Sequence, residues 1–483
     1  MAKLEAHPQH QTASPVWARI RDAVAGQDAI KARRGDYLPQ LEGQNSKAYN
    51  AYLARATYYN AVDRTVLSML GEIFRRDPVF RVPEQYEDKL MEIGRAGTPL
   101  MVEAKACVEE QITVGRCGLL VDADAEGGAP PYVALYKAED ITDWTFTLLR
   151  GRLRLQRVLL REEMPPEQGS RERTTGRFQY RELMLNEDGI YVQHLWTPRK
   201  GFKGNMLGDE EFDVSDEFVP TSFGRPLTSI PFVVPGVKSA HPDVQKPILQ
   251  DLVDLNLAHY RNSADLEHGI HYAALPTPWG VGLPADENGN APQVKIGPDQ
   301  FLCADDPNAK FGVLSFAGDL ENLENAIKQK ENQMMSLGAR YLETGRLTAE
   351  NPVAMKMRYG GEHAALGNIA DAASQAWTQV LRIWVQWQGG DPAEVSVKFN
   401  KDFSSGRLPA RDLTALLKGW KEGLPDHVLY ENLIAGEMIH PGVSLDDFRQ
   451  MLDDAAARRA ERQAEMQNTN TGTRPIGQER QQR

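Results

Sequence analysis

Apolar residues recur at helical spacing along several stretches of the chain. In TYYNAVDRTVLSMLGEIFRRDP they fall three or four residues apart until Asp77-Pro78 ends the run. The same period predicts long helices over residues 241–275, 319–343 and 362–390. The helix over 319–343 carries an apolar stripe that includes one lysine and consists of Leu320, Leu323, Ile327, Lys330, Met334, Leu337 and Tyr341.

This stripe is a candidate interface between copies of the chain. Helices that carry such stripes, separated by a small β module, are expected to bury their apolar faces poorly within one chain. Heterologous contacts between copies produce a ring when the rotation closes. The pattern therefore favours a ring-shaped homo-oligomer.

Between Gly118 and Pro235 the period changes from helical to alternating. The β-rich runs GLLVD, YVALY, RLQRVLL, FQYRELML and IYVQHLW are separated by Gly, Pro, Asn and Asp, which predicts a meandering antiparallel sheet. The run PLTSIPFVVPG ends this region, and its prolines indicate an edge or a connection. EVSVKF, after the last long helix, predicts one further strand. Helices and antiparallel strands together predict an α+β fold.

Proline, glycine and polar residues divide the rest of the chain. Residues 1–50 are polar and predict an arm with one short helix near Trp17–Ala25. Residues 276–318 are rich in proline and glycine, which is typical of a small β module. Small helices are predicted within residues 401–455, and the polar residues 456–483 are expected to be disordered.

The segment TGRLTAENPVAMKMRY, residues 344–359, lies in a predicted loop over residues 344–361. It is longer than an ordinary helix connection of about two to eight residues and too apolar to be left uncovered, so it is expected to face another surface. The candidate contact residues are Leu347, Asn351, Pro352, Val353, Met355, Lys356, Met357 and Arg358. The alternative is a loop that packs over its own chain, with Lys356 and Arg358 paired to Glu350 or Glu362.

Charge and composition limit the functional classes. Lys and Arg total 55 against 67 Asp and Glu, a formal net charge of −12. This balance argues against tight sequence-specific binding to duplex DNA, but not against DNA that passes without lasting contacts. Three cysteines without a CxxC pair indicate neither a disulfide framework nor a zinc site. Because no apolar run approaches roughly 18 residues, no membrane segment is expected, and the chain is expected in the cytosol or a particle assembled there.

Motifs for catalysis or metal binding are sparse. GxxxxGK[ST], HExxH, GxSxG and GxGxxG do not occur in the sequence. His268 and His271 lie three residues apart in a predicted helix, with Asp265 and Glu267 nearby, a spacing that a metal site could use but that also suits a packed polar helix face. DADAEGGAPPYV matches the first half of an EF-hand loop, but Val133 stands at position twelve. We therefore predict no enzyme activity, no metal and no cofactor.

Four phrases carry a resemblance to a known family. YLPQLEG occupies residues 37–43, YLARATYYNAVDRTV residues 52–66, GEIFRRDP residues 71–78 and PLTSIPFVVPG residues 226–236. With the order of the predicted elements, they resemble the portal proteins, or head-tail connectors, of tailed bacteriophages. The likeness is strongest to a portal-like group described only as a domain of unknown function, and it extends over roughly residues 15–455.

The resemblance implies a portal architecture with named parts. These are an N-terminal arm (1–50), an α+β wing (51–240), a first stem helix (241–275), a small β-containing clip (276–318), a second stem helix (319–343), a tunnel loop (344–361), a long kinked helix and return strand to the wing (362–400), a helical C-terminal crown (401–455) and a tail (456–483).

The resemblance also implies a function and partners. A ring of about twelve copies would form at one capsid vertex of the virion, after synthesis in the host cytoplasm. It would conduct double-stranded DNA during packaging and ejection, without sequence specificity. Its partners would be the terminase motor, the major capsid and scaffolding proteins and a head-tail adaptor. The alternatives are a metal-dependent hydrolase that uses the region of His268 and His271, and a head-assembly adaptor without a channel.

Overall fold

The computed structural model describes residues 4–470 except 124–129, 150, 165, 167–175, 200–211, 223, 275–276, 283–305, 315–319, 339–351, 402, 404–409, 437 and 440–442. The chain divides into two compact units, residues 1–401 and 402–483. The first unit combines helices with antiparallel sheets, so the predicted α+β fold class is confirmed.

The helices follow the apolar periodicity of the sequence, and several begin at a residue whose side chain caps the first turn. They are α1 (Pro8–Ala25), α2 (Gln27–Ala32), α3 (Ser46–Arg55), α4 (Ala61–Ile73), α5 (Leu100–Thr113), α6 (Gln250–Ala274), α7 (Leu320–Ser336), α8 (Pro352–Trp387), α9 (Ala410–Lys421), α10 (Asp426–Ala435) and α11 (Leu445–Asn470).

The strands are short and antiparallel. They are β1 (Val79–Arg81), β2 (Cys117–Asp122), β3 (Tyr132–Lys137), β4 (Ile141–Leu149), β5 (Arg152–Glu163), β6 (Phe178–Leu185), β7 (Tyr191–Pro198), β8 (Phe212–Val214), β9 (Thr221–Ser222), β10 (Arg225–Pro226), β11 (Phe232–Val233), β12 (Thr277–Val281), β13 (Lys310–Leu314) and β14 (Ser396–Lys398).

The predicted single meander is two sheets. Strands β4 to β8 form a five-stranded meander in chain order, whereas β2 pairs with β3 and β11 in a separate three-stranded sheet. The strand β11, in the proline-rich run, lies at the edge of that sheet as predicted. Prolines favour an edge because they have no backbone N–H to donate to a neighbouring strand. The strand β14 pairs with β1, so EVSVKF does return to the body of the first unit.

The core of the first unit lies between the sheets and helices α5 and α8. Trp144, Val158, Leu160 and Leu183 pack between the two sheets, because alternate residues of each strand point to the same face. Helix α8 is buried from Leu366 onward and packs on α5, β2, β3 and β11.

The N-terminal residues are folded against this core and do not form a free arm. Helix α1 is 18 residues long, not the short helix predicted near Trp17–Ala25, and both α2 and α3 follow it before residue 56. Trp17 and Ile20 are fully buried. The polar composition misled the prediction because a helix needs only one apolar face to pack.

The second unit is a small helical group, as predicted for this region. Helices α9, α10 and α11 enclose a cluster around Leu429, Leu433 and Phe448. Ser444 caps α11 through its Oγ, which accepts from the Asp447 N–H at 3.1 Å, and the Asp447 carboxylate accepts in return from the Ser444 N–H at 3.3 Å.

Two predictions of irregular structure are corrected. The expected disorder from residue 456 is wrong as far as Asn470, because α11 continues to that residue through alanine, arginine, glutamate and glutamine, which favour helix without burial. The expected loop over 344–361 is wrong from Pro352 onward, where α8 begins. Proline is well suited to the first helical position, since its missing N–H would have no partner there.

Candidate assembly and channel surfaces

Helices α6 and α7 form an antiparallel hairpin. A Cβ at Gly269 of α6 would lie 2.7 Å from the Leu320 side chain at the start of α7, and further down the pair His259 Nε2 lies 3.7 Å from a carboxylate oxygen of Glu331. Burial lowers the pKa of His259 despite the carboxylate beside it. Helix α6 also packs on α1, α3 and α4, and Val253 is among its buried residues.

The apolar stripe of α7 has a partner within the chain. Leu320, Leu323, Ile327 and Lys330 are half-buried and Met334 is fully buried, on a helix that packs along α6. Leu337 follows the helix and is 43% exposed, and Tyr341 lies outside the described residues. The expectation that the stripe lacks cover in its own chain is therefore corrected, because α6 and α7 cover each other. A role for these residues in contacts between copies stays a prediction.

The end of the hairpin, by contrast, exposes large apolar side chains. The strands β12 and β13, which follow α6 and precede α7, pair in the register Trp279↔Gly312 and Gly280↔Phe311. A Cβ at Gly312 would lie 2.6 Å from the Trp279 ring, so glycine is required where the indole crosses the ladder. We call the following exposed set the apolar tip: Ile270, Tyr272, Trp279, Val281 and Phe311.

The candidate metal residues of α6 face other groups. His268 Nδ1 lies 3.0 Å from a guanidinium nitrogen of Arg55, and burial, with the Arg55 charge, lowers the pKa of His268. Asp265 accepts a hydrogen bond of 2.6 Å from the Tyr52 hydroxyl. The ring of His271 lies against Tyr272. Within the described residues no group of three His, Cys, Asp or Glu side chains is placed to hold a metal ion.

The predicted tunnel segment is only partly described. Leu347 and Asn351 lie outside the described residues. Pro352, Val353, Met355, Lys356, Met357 and Arg358 lie on the first two turns of α8, and the description there extends to the helical backbone alone. Their contact with DNA stays a prediction.

The sequence patterns missed a buried polar network in the sheets. Arg181 Nε donates to Glu162 at 3.0 Å and Arg181 Nη1 to the Gln193 side chain at 2.9 Å. Glu162 also accepts from the Tyr136 hydroxyl at 2.5 Å. Asp122, the first residue of the EF-hand-like run, is buried here and accepts from Gln193 at 3.1 Å, while burial raises the pKa of its carboxyl. A charged residue at an inward position of a strand, such as Arg181 in FQYRELML, is the signal that could have found this network.

Comparisons with known proteins give a family model that matches part of the chain and solved structures of low sequence identity. A family model described as a domain of unknown function (DUF4055) matches residues 248–388. The chain is similar to a solved structure of the neck of an empty GTA particle computed with C6 symmetry, at a TM-score of 0.41 and 13% identity over 82% of this chain and 95% of that chain.

Two further solved structures are similar to it. A virion of a native gene transfer agent (GTA) particle gives a TM-score of 0.40 and 13% identity over 84% of this chain and 98% of that chain. A neck of a native GTA particle computed with C12 symmetry gives a TM-score of 0.34 and 13% identity over 77% of this chain and 87% of that chain. No curated protein matches the sequence. None of the helices in the described parts has the length and apolar character to cross a bilayer.

Proposed function

We propose that the chain is a structural subunit of a tailed-phage-like particle and, more finely, its portal protein. Many copies would form a ring that conducts double-stranded DNA and binds the packaging motor on one side and the tail adaptor on the other. Three features support the proposal: the portal-like phrases of the sequence, the antiparallel α6–α7 hairpin with a β pair at its end, and the strand β14 that returns α8 to the body.

The apolar tip is the observation that carries the proposal. Its side chains are 43–60% exposed, although they stand on consecutive elements of the same hairpin. Trp279 and Val281 lie on one face of the β12–β13 ribbon, and Phe311, paired with Gly280, lies on the other. Large exposed apolar side chains grouped at one end of a hairpin indicate an interaction site in soluble proteins. We assign a second copy of the chain as the partner, because a hairpin covered on its inner side by its own two helices leaves the tip as the surface that a neighbouring hairpin can cover. Repeated around an axis, that contact closes into a ring.

The net charge fits a conduit for DNA. At −12 per chain, a ring of about twelve copies carries a formal charge on the order of −140, which repels phosphates within a Debye length of about 8 Å. Duplex DNA then slides with few lasting contacts. Lys356 and Arg358, at the start of α8, would supply a narrow zone of weak phosphate contacts and slow backward movement.

The test of ring assembly compares two pairs of exposed apolar residues. Ile270→Asp with Val281→Asp places charge on the apolar tip, where it would be buried between copies at a cost of several kcal/mol. Leu148→Asp with Leu153→Asp is the matched control, since these two leucines face each other at the end of the β4–β5 hairpin and are 69% and 67% exposed. Mass photometry and axial electron-microscope averages measure ring formation.

We expect wild type and the control pair to form rings with a central hole, and the tip pair to remain monomeric with unchanged circular dichroism. Rings of normal yield from the tip pair would remove the assigned interface. A wild-type assembly without a hole would favour the adaptor without a channel.

The contact with DNA has its own test. Lys356→Ala with Arg358→Ala should leave ring formation unchanged and reduce DNA retention in packaged heads, because two cations are removed per copy. Unchanged retention would assign both residues to ion pairs within the protein. Tight, salt-resistant DNA binding by the wild-type ring would contradict the repulsive conduit.

A further inference from the structure

Arg116 lies in the body of the first unit, far along the chain from the surfaces described above. The chain leaves α5 through Gly115, whose φ of 87° a glycine adopts without strain, and Arg116 then precedes β2. The Arg116 backbone makes an antiparallel bridge to Gly236, so its position is fixed between β2 and the segment that approaches α6. Its side chain is 1% exposed.

The buried guanidinium has no acceptor of its own. Across the described residues none accepts a hydrogen bond from Nε, Nη1 or Nη2 of Arg116, although each nitrogen is shielded from solvent. The Arg116 Cζ lies 4.4 Å from the centre of the Trp144 ring, and Trp144 is itself 2% exposed. The face of the Trp144 ring attracts the cation, but it has no lone pair that could accept hydrogen bonds from the five guanidinium N–H groups. Burial of an unpaired charge is strongly unfavourable.

Neither deprotonation of Arg116 nor a nearby side chain compensates the buried charge. Burial lowers the pKa of Arg116 to about 10, which still leaves it charged at neutral pH. The adjacent Cys117 thiol stays neutral because burial raises its pKa well above the usual range. The charge of Asp243 favours the protonated Arg116, but Asp243 is about half exposed and interacts with the Gln9 amide at 3.4 Å and the His241 ring at 3.4 Å.

Further positive potential comes from the first turn of α1. The His7 ring stacks on Trp144 at 4.0 Å between centroids, and the His7 N–H donates to the Thr142 carbonyl at 2.9 Å. The N-terminal end of this 18-residue helix therefore lies beside the same indole that Arg116 contacts. A helix N-terminus carries a partial positive charge and favours an anion. His10, on the same turn, has a lowered pKa, because burial and the charges of Arg116 and Arg161 oppose its protonation.

We propose that Arg116 binds a small inorganic anion, of the halide or oxyanion class, beside Trp144 and the N-terminal end of α1. The fork of guanidinium N–H groups suits such an anion, and a charge-assisted contact is the strongest that a guanidinium makes. The bound anion would fasten α1 to the segment before α6, which Gln9 already contacts through the Val244 N–H at 2.9 Å.

The experiment uses the full chain in a buffer whose anion is gluconate, which is much larger than chloride or phosphate. Sodium chloride and sodium phosphate are titrated in separate series at constant ionic strength, and the melting temperature is recorded. We expect a saturable rise on the order of 2 °C or more for the wild type with at least one of the two anions. Chloride alone would identify a halide site, phosphate alone an oxyanion site.

Variants assign the effect to Arg116. Arg116→Met retains the aliphatic volume and removes the charge, so its melting temperature should not respond to either anion. Arg33→Met is the control, because Arg33 is exposed and paired with Asp22 at 2.8 Å, and it should respond as the wild type does. If Arg116→Met does not fold, Arg116→Lys and titration calorimetry of the wild type replace it, with at least a tenfold loss of affinity expected in the lysine variant. A wild type that shows no saturable response, or an Arg116 variant that responds as the wild type does, overturns the proposal.

Discussion

The five-stranded sheet pairs its charged side chains within the chain, whereas the α6–α7 hairpin leaves large apolar side chains exposed at its end. In the sheet, Arg157 pairs with both Asp143 and Glu182, and Arg181 pairs with Glu162, so buried charges meet their partners within one chain. The hairpin covers its inner stripe but leaves the apolar tip exposed. Substitutions in the sheet should therefore change the stability of the monomer, whereas substitutions at the tip should change assembly.

The largest effect is expected at Arg181. Arg181→Met leaves Asp122 without its cation and Glu162 with only the more exposed Arg95, whose Nη1 lies 3.6 Å from it, which should lower the free energy of unfolding by about 3–5 kcal/mol. Urea unfolding followed by circular dichroism measures the loss. Arg199→Met is the control, because the Arg199–Asp213 pair is exposed and should contribute less than about 1 kcal/mol. Equal losses in both variants would show that burial of the network adds nothing.

A smaller effect is expected inside the hairpin. Met334→Ala removes a fully buried side chain between α7 and α6 and should cost about 2–3 kcal/mol, low in the usual range because only one side of α7 is covered. This loss of stability should be measurable as faster hydrogen exchange of the α7 amides. The exposed Leu337→Ala should change the stability by no more than about 0.5 kcal/mol. Normal protection of α7 in the Met334 variant would contradict the observed packing.

Acidification below the ordinary pKa of a glutamate, about 4.3, should weaken the sheet. Burial alone would raise the pKa of the Glu162 carboxyl, but the Arg181 charge and the hydrogen bonds from Arg181, Tyr136 and Gln179 outweigh it and leave that pKa below its usual value. A carboxyl with a lowered folded pKa contributes stability above its unfolded pKa of about 4.3, and the contribution is lost as the pH falls through the folded value.

The melting temperature from about pH 6 to about pH 3 tests this sign. Glu162→Gln should be less stable than the wild type at the upper end of that range and should lose less on acidification. Parallel curves for the two proteins would exclude Glu162 as a source of the acid sensitivity.

The smallest change in monomer stability is expected at the tip. Val281→Ser alters a side chain that is 60% exposed, so the free energy of unfolding of the monomer should stay within about 0.5 kcal/mol of the wild type. The same variant should weaken ring formation in sedimentation velocity, because the valine is covered only in the assembly. A variant that is destabilised as a monomer but assembles normally would reverse the comparison between sheet and hairpin.

The sequence predicted the elements whose pattern depends on one buried face. The strands β2, β3, β5, β6 and β7 lie where the period indicated them, and α6 (Gln250–Ala274) lies within the predicted range 241–275 but begins later. The sequence analysis missed β4, whose sequence is ITDWTFTLL. It also merged two sheets into one, because pairing between strands depends on tertiary contacts that a local period does not record.

The candidate sites were less accessible to the same reasoning. The stripe of α7 was read as unpartnered because periodicity shows that a face is apolar but not which helix covers it. Arg116 gave no signal, since a single arginine between a helix and a strand is ordinary in sequence and becomes unusual only when its burial is known. The helix before Gly360 was missed because Asn351-Pro352 indicates both a turn and a helix start.

The length of α8 has a mechanical consequence. At 1.5 Å per residue its 36 residues extend roughly 54 Å, from Pro352 to Trp387. Its later half is clamped in the core, where the Trp384 indole N–H donates to the Pro131 carbonyl at 2.6 Å. Gly360 and Gly361 lie in the earlier half, and adjacent glycines lower the bending stiffness of a helix. A force applied to the residues before Pro352 would therefore first bend the helix at this glycine pair. Only the remaining force would act on the core, along the helix axis.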